Sequence, residues 1–219
     1  MGEVIALEGV CCAGKTTLIR KLSTRLKAGV IPELPEFGRN LFKPFTDNEA
    51  ILYNGHASIP IERVRMVGAL SLSEVASHVI LDRSFLSTLA INYGAIDLIG
   101  PYNYRGLARK VISAMQSGEL PLPHKALYIS VDGDTVQRRN ETRVPKLDNY
   151  WVNPDRIDRQ NEFYHSLMGI EGIELVNGAR EREDVLEDCV ERSLKDSVIS
   201  NNQDVVTAIE EFNDYFAKC

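Results

Sequence analysis

Gly9-Val10-Cys11-Cys12-Ala13-Gly14-Lys15-Thr16 fits the pattern GxxxxGK[ST], whose glycines let backbone N–H groups turn inward onto phosphate oxygens. The octapeptide follows directly on Val4 to Leu7, an apolar run of the length of a buried strand, and opens into Lys15 to Lys27. There Leu18, Ile19, Leu22 and Leu26 fall on one stripe, the period of an amphipathic helix. Strand, tight loop and helix in that order set the positive end of a helix dipole where the loop amides converge, which makes an anion site. Composition alone produces such a match in a chain of 219 residues with probability on the order of 1%. The competing reading is a Gly-rich structural turn with a surface lysine. On the phosphate reading Gly9, Cys12, Ala13, Gly14, Lys15, Thr16 and Thr17 hold ATP, with Lys15 bridging the β and γ phosphates and the Thr16 hydroxyl ligating Mg2+.

Beyond this loop, short apolar runs alternate with longer helical stretches, the signature of an α/β fold whose parallel sheet carries helices on both faces. Five strands are expected: 4–7, 30–31, 79–82, 126–131 and 173–176. Helical patterns cover 47–77 (broken near Ser58 to Pro60), 85–94, 104–117, 134–143, 155–168 and 181–195. One P-loop domain over 1–197 accounts for these. A tail over 198–219 carries Val205, Ile209, Phe212 and Phe216 at helical spacing, as an amphipathic helix docked on its own core would.

The charge balance narrows the function. With 31 acidic against 25 basic residues and net charge -6, the chain is unsuited to gripping nucleic acid or an anionic membrane. No apolar run reaches the length of a membrane span, and the opening MGEVIALEGV lacks the flank of a signal peptide, so a cytoplasmic protein is expected. Cys11, Cys12, Cys189 and Cys219 have no zinc or disulfide spacing. Cys11 and Cys12, at a helix N-terminus beside Lys15, are expected to be acidified thiols. The GTPase-like strings at 97–100 and 145–148 follow no buried strand, and Pro145 stands where asparagine is needed to read guanine.

Asp82 ends the third apolar strand on the side of the sheet where the phosphate loop lies, the ligand side of α/β proteins. A carboxylate there suits Mg2+ or an acceptor hydroxyl, and Arg83 beside it suits an anionic acceptor or the charge on a transferring phosphoryl group; a strand-end salt bridge is the alternative. Arg139 and Arg143 are four apart, hence on one helical face. They are candidates to close over phosphates, or else to pair with Asp134 or Glu141 on a solvated face.

Three elements in this order resemble the thymidylate kinase family. Glu8 to Thr17 is similar to its EGxDGAGKTT loop. Asp82 to Gly94 is similar to its DRYxxSxxAYQG segment, with Ser87, Ala90 and Gly94 matching and Asn92 at the glutamine position. Leu127 to Asp132, followed by Arg139 and Arg143, resembles its fourth strand and arginine-bearing lid. The resemblance implies a three-layer P-loop kinase with a short lid at about 138–152, transferring the γ-phosphate of ATP to a nucleoside monophosphate with Mg2+, often as a homodimer. It implies catalytic roles for Lys15, Asp82, Arg83, Arg139 and Arg143, with Thr16 and Asp82 on the metal.

The acceptor side departs from that pattern. Cys11 replaces the carboxylate of the family's loop, and Ile31-Pro-Glu-Leu-Pro-Glu36-Phe37-Gly-Arg39 is more similar to the Glu-Pro segment of deoxynucleoside kinases. There a glutamate takes the proton of a sugar hydroxyl; Asp82-Arg83-Ser84 resembles the acidic-Arg-Ser motif of the same enzymes. A monophosphate acceptor calls on Arg39, Arg63 or Arg65 for charge, whereas a nucleoside calls on Glu33 or Glu36 for a base. Phe37, Arg83, Ser87 and Asn92 complete the candidate acceptor residues. A regulatory ATP-binding protein without turnover is the reading of a different class.

Overall fold

Strands covered on both faces are apolar throughout rather than alternating, and the central strands here are: Val4 to Leu7, Val79 to Leu81 and Leu127 to Ile129 are wholly buried. The computed structural model describes residues 1–45 and 47–215, apart from the side chains of 37–39. From the N-terminus the elements are β1 (Glu3–Glu8), α1 (Lys15–Leu26), β2 (Gly29–Ile31), α2 (Leu34–Gly38), α3 (Asn48–Ser73) and β3 (His78–Asp82). They continue as α4 (Phe85–Gly94), α5 (Ile96–Ile99), α6 (Pro101–Gln116), β4 (Lys125–Ser130), α7 (Gly133–Glu141) and α8 (Asn149–Val152). The last are α9 (Pro154–Ser166), β5 (Ile173–Asn177), α10 (Arg182–Ser193) and α11 (Asn202–Tyr215).

The five strands form one parallel sheet in the order β2-β3-β1-β4-β5. Val4 pairs with Val79 on one side of β1 and Ile5 with Lys125 on the other, so the chain leaves the first strand at the point where the sheet order reverses. Leu7 is level with Asp82, and Ile31 with Leu81, which sets the C-terminal ends of β1, β2 and β3 along one edge. Ligand sites of open α/β sheets form outside that edge. Helices α1, α7 and α10 cover one face around Leu18, Ile19, Leu22, Val136 and Leu186. Helices α3, α4, α6, α9 and α11 cover the other around Met66, Leu89, Tyr104 and Phe163.

The expected interruption at Ser58 to Pro60 is absent. α3 runs unbroken through Pro60, although an interior proline costs a helix about 3 kcal/mol. Asp47 caps its first turn, accepting from the Ala50 amide at 2.7 Å, and Ser58 Oγ donates to the Gly55 carbonyl at 2.7 Å one turn before the proline. Ile51, Ile61, Met66 and Ala69 bury the inner side of the helix on both sides of Pro60, and this tertiary burial outweighs the local defect. α5 and α8 escaped the sequence pattern because a single turn is too short to show a period. α11 lays Val205, Val206, Ile209 and Phe212 into the core. The Phe212 ring meets Tyr93 edge-on at 4.7 Å and Phe163 at 5.5 Å, while Phe216 lies outside the described residues. Among the described residues no helix is long and apolar enough to cross a membrane.

Candidate active site

The phosphate loop is held in a shape that few side chains permit. Gly9 has φ 139°, and a Cβ there would sit 2.6 Å from the Ile129 carbonyl oxygen, so only glycine lets the loop pass β4 this closely. Gly14, at φ 94°, starts α1 and supplies no side-chain cap, which leaves the first-turn amides to an outside partner. Lys15 is 6% exposed, and its ammonium donates to the carbonyls of Gly9 at 2.9 Å and Val10 at 2.8 Å. Burial, with Arg83 nearby, pulls its pKa down to about 8. Thr16 and Thr17 are exposed on the wall of a cavity of about 740 Å3, a size suited to small-molecule ligands. Gly9 shapes the loop from behind that wall, and Cys11 to Thr17 form the wall itself.

The acid shift expected of the loop thiols fails at Cys12. Burial, then the adjacent Cys11, pushes the Cys12 thiol up, against the smaller opposing pull of Arg143 and Lys15. The helix terminus and lysine do not rescue a sulfur partly packed among apolar side chains.

Arg83 forms the floor of the cavity. Its backbone is left-handed, φ 64°, a strained conformation for a side-chain-bearing residue. The amide is tied to the Leu7 carbonyl at 3.1 Å. The guanidinium donates to the Gly9 carbonyl at 2.5 Å and to Ser87 Oγ at 3.3 Å, and its Nε lies 2.5 Å from Glu33 Oε1. Burial alone pushes the Glu33 carboxyl upward, but Arg83 and Lys15 outweigh it and hold Glu33 below the usual range. Asp82 moves the other way, raised by burial and by the neighbouring charge of Glu33. The site therefore holds two carboxylates shifted in opposite directions, Glu33 stabilised in its ionised form by two cations and Asp82 shifted upward by burial and by Glu33.

Glu8 and Arg65 build the support beneath, and the sequence pattern had assigned neither to it. Glu8 is fully buried; one oxygen accepts from the Ser84 amide at 2.7 Å and the Ser84 hydroxyl at 2.5 Å. Its other oxygen accepts from the Ser87 hydroxyl and from Tyr164 at 3.1 Å, so the turn that follows Arg83 is pinned at Ser84 and Ser87. Arg65, expected to bind the acceptor, is wholly buried and spent on structure. It donates to the Pro32 carbonyl at 2.9 Å, Glu62 at 2.7 Å, and the carbonyls of Asp82 at 2.6 Å and Arg83 at 3.1 Å. One planar fork thus fixes the segment leading to Glu33 against the end of β3.

Other acceptor candidates divide. Arg63 points outward from α3 to Glu119 at 3.4 Å, both side chains exposed, and Glu36 is exposed away from the cavity. The side chains of Phe37 and Arg39 lie outside the described residues. Ser87, Thr88 and Asn92 line the cavity; Asn92 is buried and donates to the Thr88 carbonyl at 2.8 Å. Of the lid arginines, Arg139 donates to the carbonyls of Cys12 at 3.1 Å, Ala13 at 3.2 Å and Gly178 at 2.8 Å. Arg143 is exposed and donates to the Pro145 carbonyl at 3.2 Å. Both line the cavity; Arg139 is bonded to backbone carbonyls, and Arg143 to the Pro145 carbonyl and the Cys12 thiol. Arg143→Ala is expected to lower kcat roughly 10- to 100-fold with a melting temperature within about 2 °C of wild type, since an exposed side chain holds little of the fold. A lower melting temperature with unchanged kcat, measured by calorimetry and steady-state kinetics, would make Arg143 structural.

No protein-family model matches the chain, and no curated protein matches it. Solved structures do. Deoxyadenosine kinase from M. mycoides, with products dCMP and a flexible dCDP bound, superposes with a TM-score of 0.65 at 17% identity, over 86% of this chain and 97% of that one. The same kinase with bound dCTP gives 0.65 at 16%, over 86% and 97%, and with bound dATP 0.58 at 17%, over 87% and 98%. The fold is the P-loop kinase fold, a five-stranded parallel sheet in the order β2-β3-β1-β4-β5 with helices on both faces. The likeness is one of fold, and it does not confirm the expectation of a specifically thymidylate-kinase-like chain.

Proposed function

We propose that the protein is a deoxynucleoside kinase, transferring the γ-phosphate of ATP to a sugar hydroxyl of a deoxynucleoside. The observation that carries the proposal is the Glu33–Arg83 pair at 2.5 Å on the cavity floor. A nucleoside hydroxyl must lose a proton as it attacks, and a carboxylate held ionised at the site is the base it needs. A monophosphate needs no base but two charges' worth of neutralisation; Arg63 and Arg65 are turned to other partners, and Arg83 is already matched by Glu33. The likeness to deoxyadenosine kinase supports the same reading.

The remaining residues take their roles from this frame. Lys15 and the uncapped amides of α1 take the β and γ phosphates, and Arg139 and Arg143 draw the lid onto them. Thr16 and Asp82 would hold Mg2+, which would supply charge neutralisation to the phosphates. The donor set fits: one hydroxyl and one carboxylate leave most of the coordination sphere to phosphate and water, as Mg2+ prefers, and the described residues contain no acidic cage. An ADP-release assay offering the four common deoxynucleosides and their 5′-monophosphates tests the proposal. At least one deoxynucleoside should be turned over and no monophosphate; a monophosphate used faster than every nucleoside would sink it.

A further inference from the structure

Two asparagines make the same clamp on opposite sides of the cavity. Asn54 on α3 accepts from the Lys43 amide at 2.8 Å and donates to the Lys43 carbonyl at 2.8 Å. Asn140 on α7 accepts from the Leu147 amide at 2.8 Å and donates to the Leu147 carbonyl at 3.2 Å. Each clamp fixes one loop at its root: the first belongs to the segment between α2 and α3 on the acceptor side, the second to the lid that carries Arg143. Asp148 then starts α8 by accepting from the Tyr150 amide at 3.0 Å.

From these roots the two loops meet in an aromatic cluster. The Phe45 ring stands edge-on to Trp151 at 4.7 Å and lies 5.1 Å from Tyr150, whose own ring is perpendicular to Trp151 at 4.9 Å. Arg156 from α9 sits over Tyr150 at 5.0 Å and holds it from behind. Phe45 and Trp151 both line the cavity. They also belong to different halves of the core, Phe45 packing against the α3–α4 side and Trp151 against the α1–α7 side. The lid therefore contributes a wall to the cavity that the acceptor segment completes, and neither wall is whole without the other.

We propose that Trp151 is a positioning residue for the acceptor, and that its contact with Phe45 couples acceptor binding to lid closure over ATP. This rests on the nucleoside-kinase reading above. A flat base entering beside Phe45 meets an aromatic face that belongs to the lid, so its binding favours the lid position in which Arg139 and Arg143 face the phosphates. By linkage the effect is reciprocal: a deoxynucleoside tightens ATP binding by the same factor as ATP tightens the deoxynucleoside.

The chain has one tryptophan, so its emission reports on Trp151 alone. The experiment uses the full chain, the deoxynucleoside it turns over fastest, and an ATP analogue with a β,γ-imido bridge, read by calorimetry and fluorescence. In wild type the nucleoside alone should shift the emission and should lower the Kd of the analogue by about fivefold or more, the usual range of such coupling. In Phe45→Ala the analogue's own Kd should stay within about twofold of wild type while the coupling factor falls to within about twofold of one, and the nucleoside KM should rise more than kcat falls. Phe45→Leu, which keeps apolar volume but no ring, serves if the alanine variant does not fold, with the same loss expected. Coupling of undiminished size in these variants overturns the proposal, as does a wild type that phosphorylates the nucleoside with no coupling. A wild type that turns over no nucleoside fails differently: it removes the acceptor reading, and this inference with it.

Discussion

Lys15→Ala should yield a folded protein whose turnover is down roughly 100- to 1000-fold, the usual cost of one preorganised contact to a transition state. The structure separates the two effects. The ammonium is buried and bonded to carbonyls of its own loop, Gly9 and Val10, so its loss frees two loop acceptors and takes no apolar side chain from the sheet core. Burial pulls its pKa down to about 8, so an anion beside it, such as a phosphate, would stabilise the charged form. The sign of the pH dependence follows. Lys15 is charged below its pKa, so kcat/KM, which reports free enzyme, should decline as pH rises through about 8, and Lys15→Arg should move that limb out of range. Near-wild-type turnover in a folded Lys15→Ala protein, shown by circular dichroism and an ADP assay, would remove the phosphate loop from the mechanism.

Glu33→Gln should lower kcat for the deoxynucleoside roughly 100- to 10,000-fold, the range supplied by a general base. The amide keeps the shape and one acceptor oxygen but cannot take the proton. Because Arg83 and Lys15 hold the carboxyl below its ordinary range, the acid limb of wild-type kcat/KM should begin only as pH drops past that depressed value, well below neutrality. The variant should lose this acid limb altogether. Retention of both the limb and the rate by Glu33→Gln would show that the base is elsewhere, with Asp82 the next carboxylate on the cavity wall.

How much of this is legible in sequence depends on the range of the interactions. The phosphate loop, the strand ends at Asp82 and Arg83, and the parallel sheet were readable because each follows from a local period or a short spacing. Sequence ranked Glu33 ahead of Glu36 as candidate base; what it could not show is the contact with Arg83, which spans the ends of two separate strands. Arg65 misled because an arginine on a helix looks the same whether it meets substrate or backbone carbonyls. Glu8 stood inside the quoted loop segment, and its four hydrogen-bonding partners come from residues 84, 87 and 164, beyond any spacing rule. Trp151 was missed for the opposite reason, since a one-turn helix gives no pattern and its partner Phe45 lies far earlier in the chain.

The register of β1 also governs how the molecule is made. The central strand, β1, is made before both of its partners, the distant β3 and β4, with Val4 waiting for Val79 and Ile5 for Lys125. Even the Val4 amide is satisfied by the ring of His124 at 2.8 Å. Pairings this remote in sequence require large loops to close before any contact rewards them, which slows folding and leaves strands with open edges meanwhile. An emerging chain therefore carries β1 unpaired until β3 has left the ribosome, and with one edge open until β4 follows.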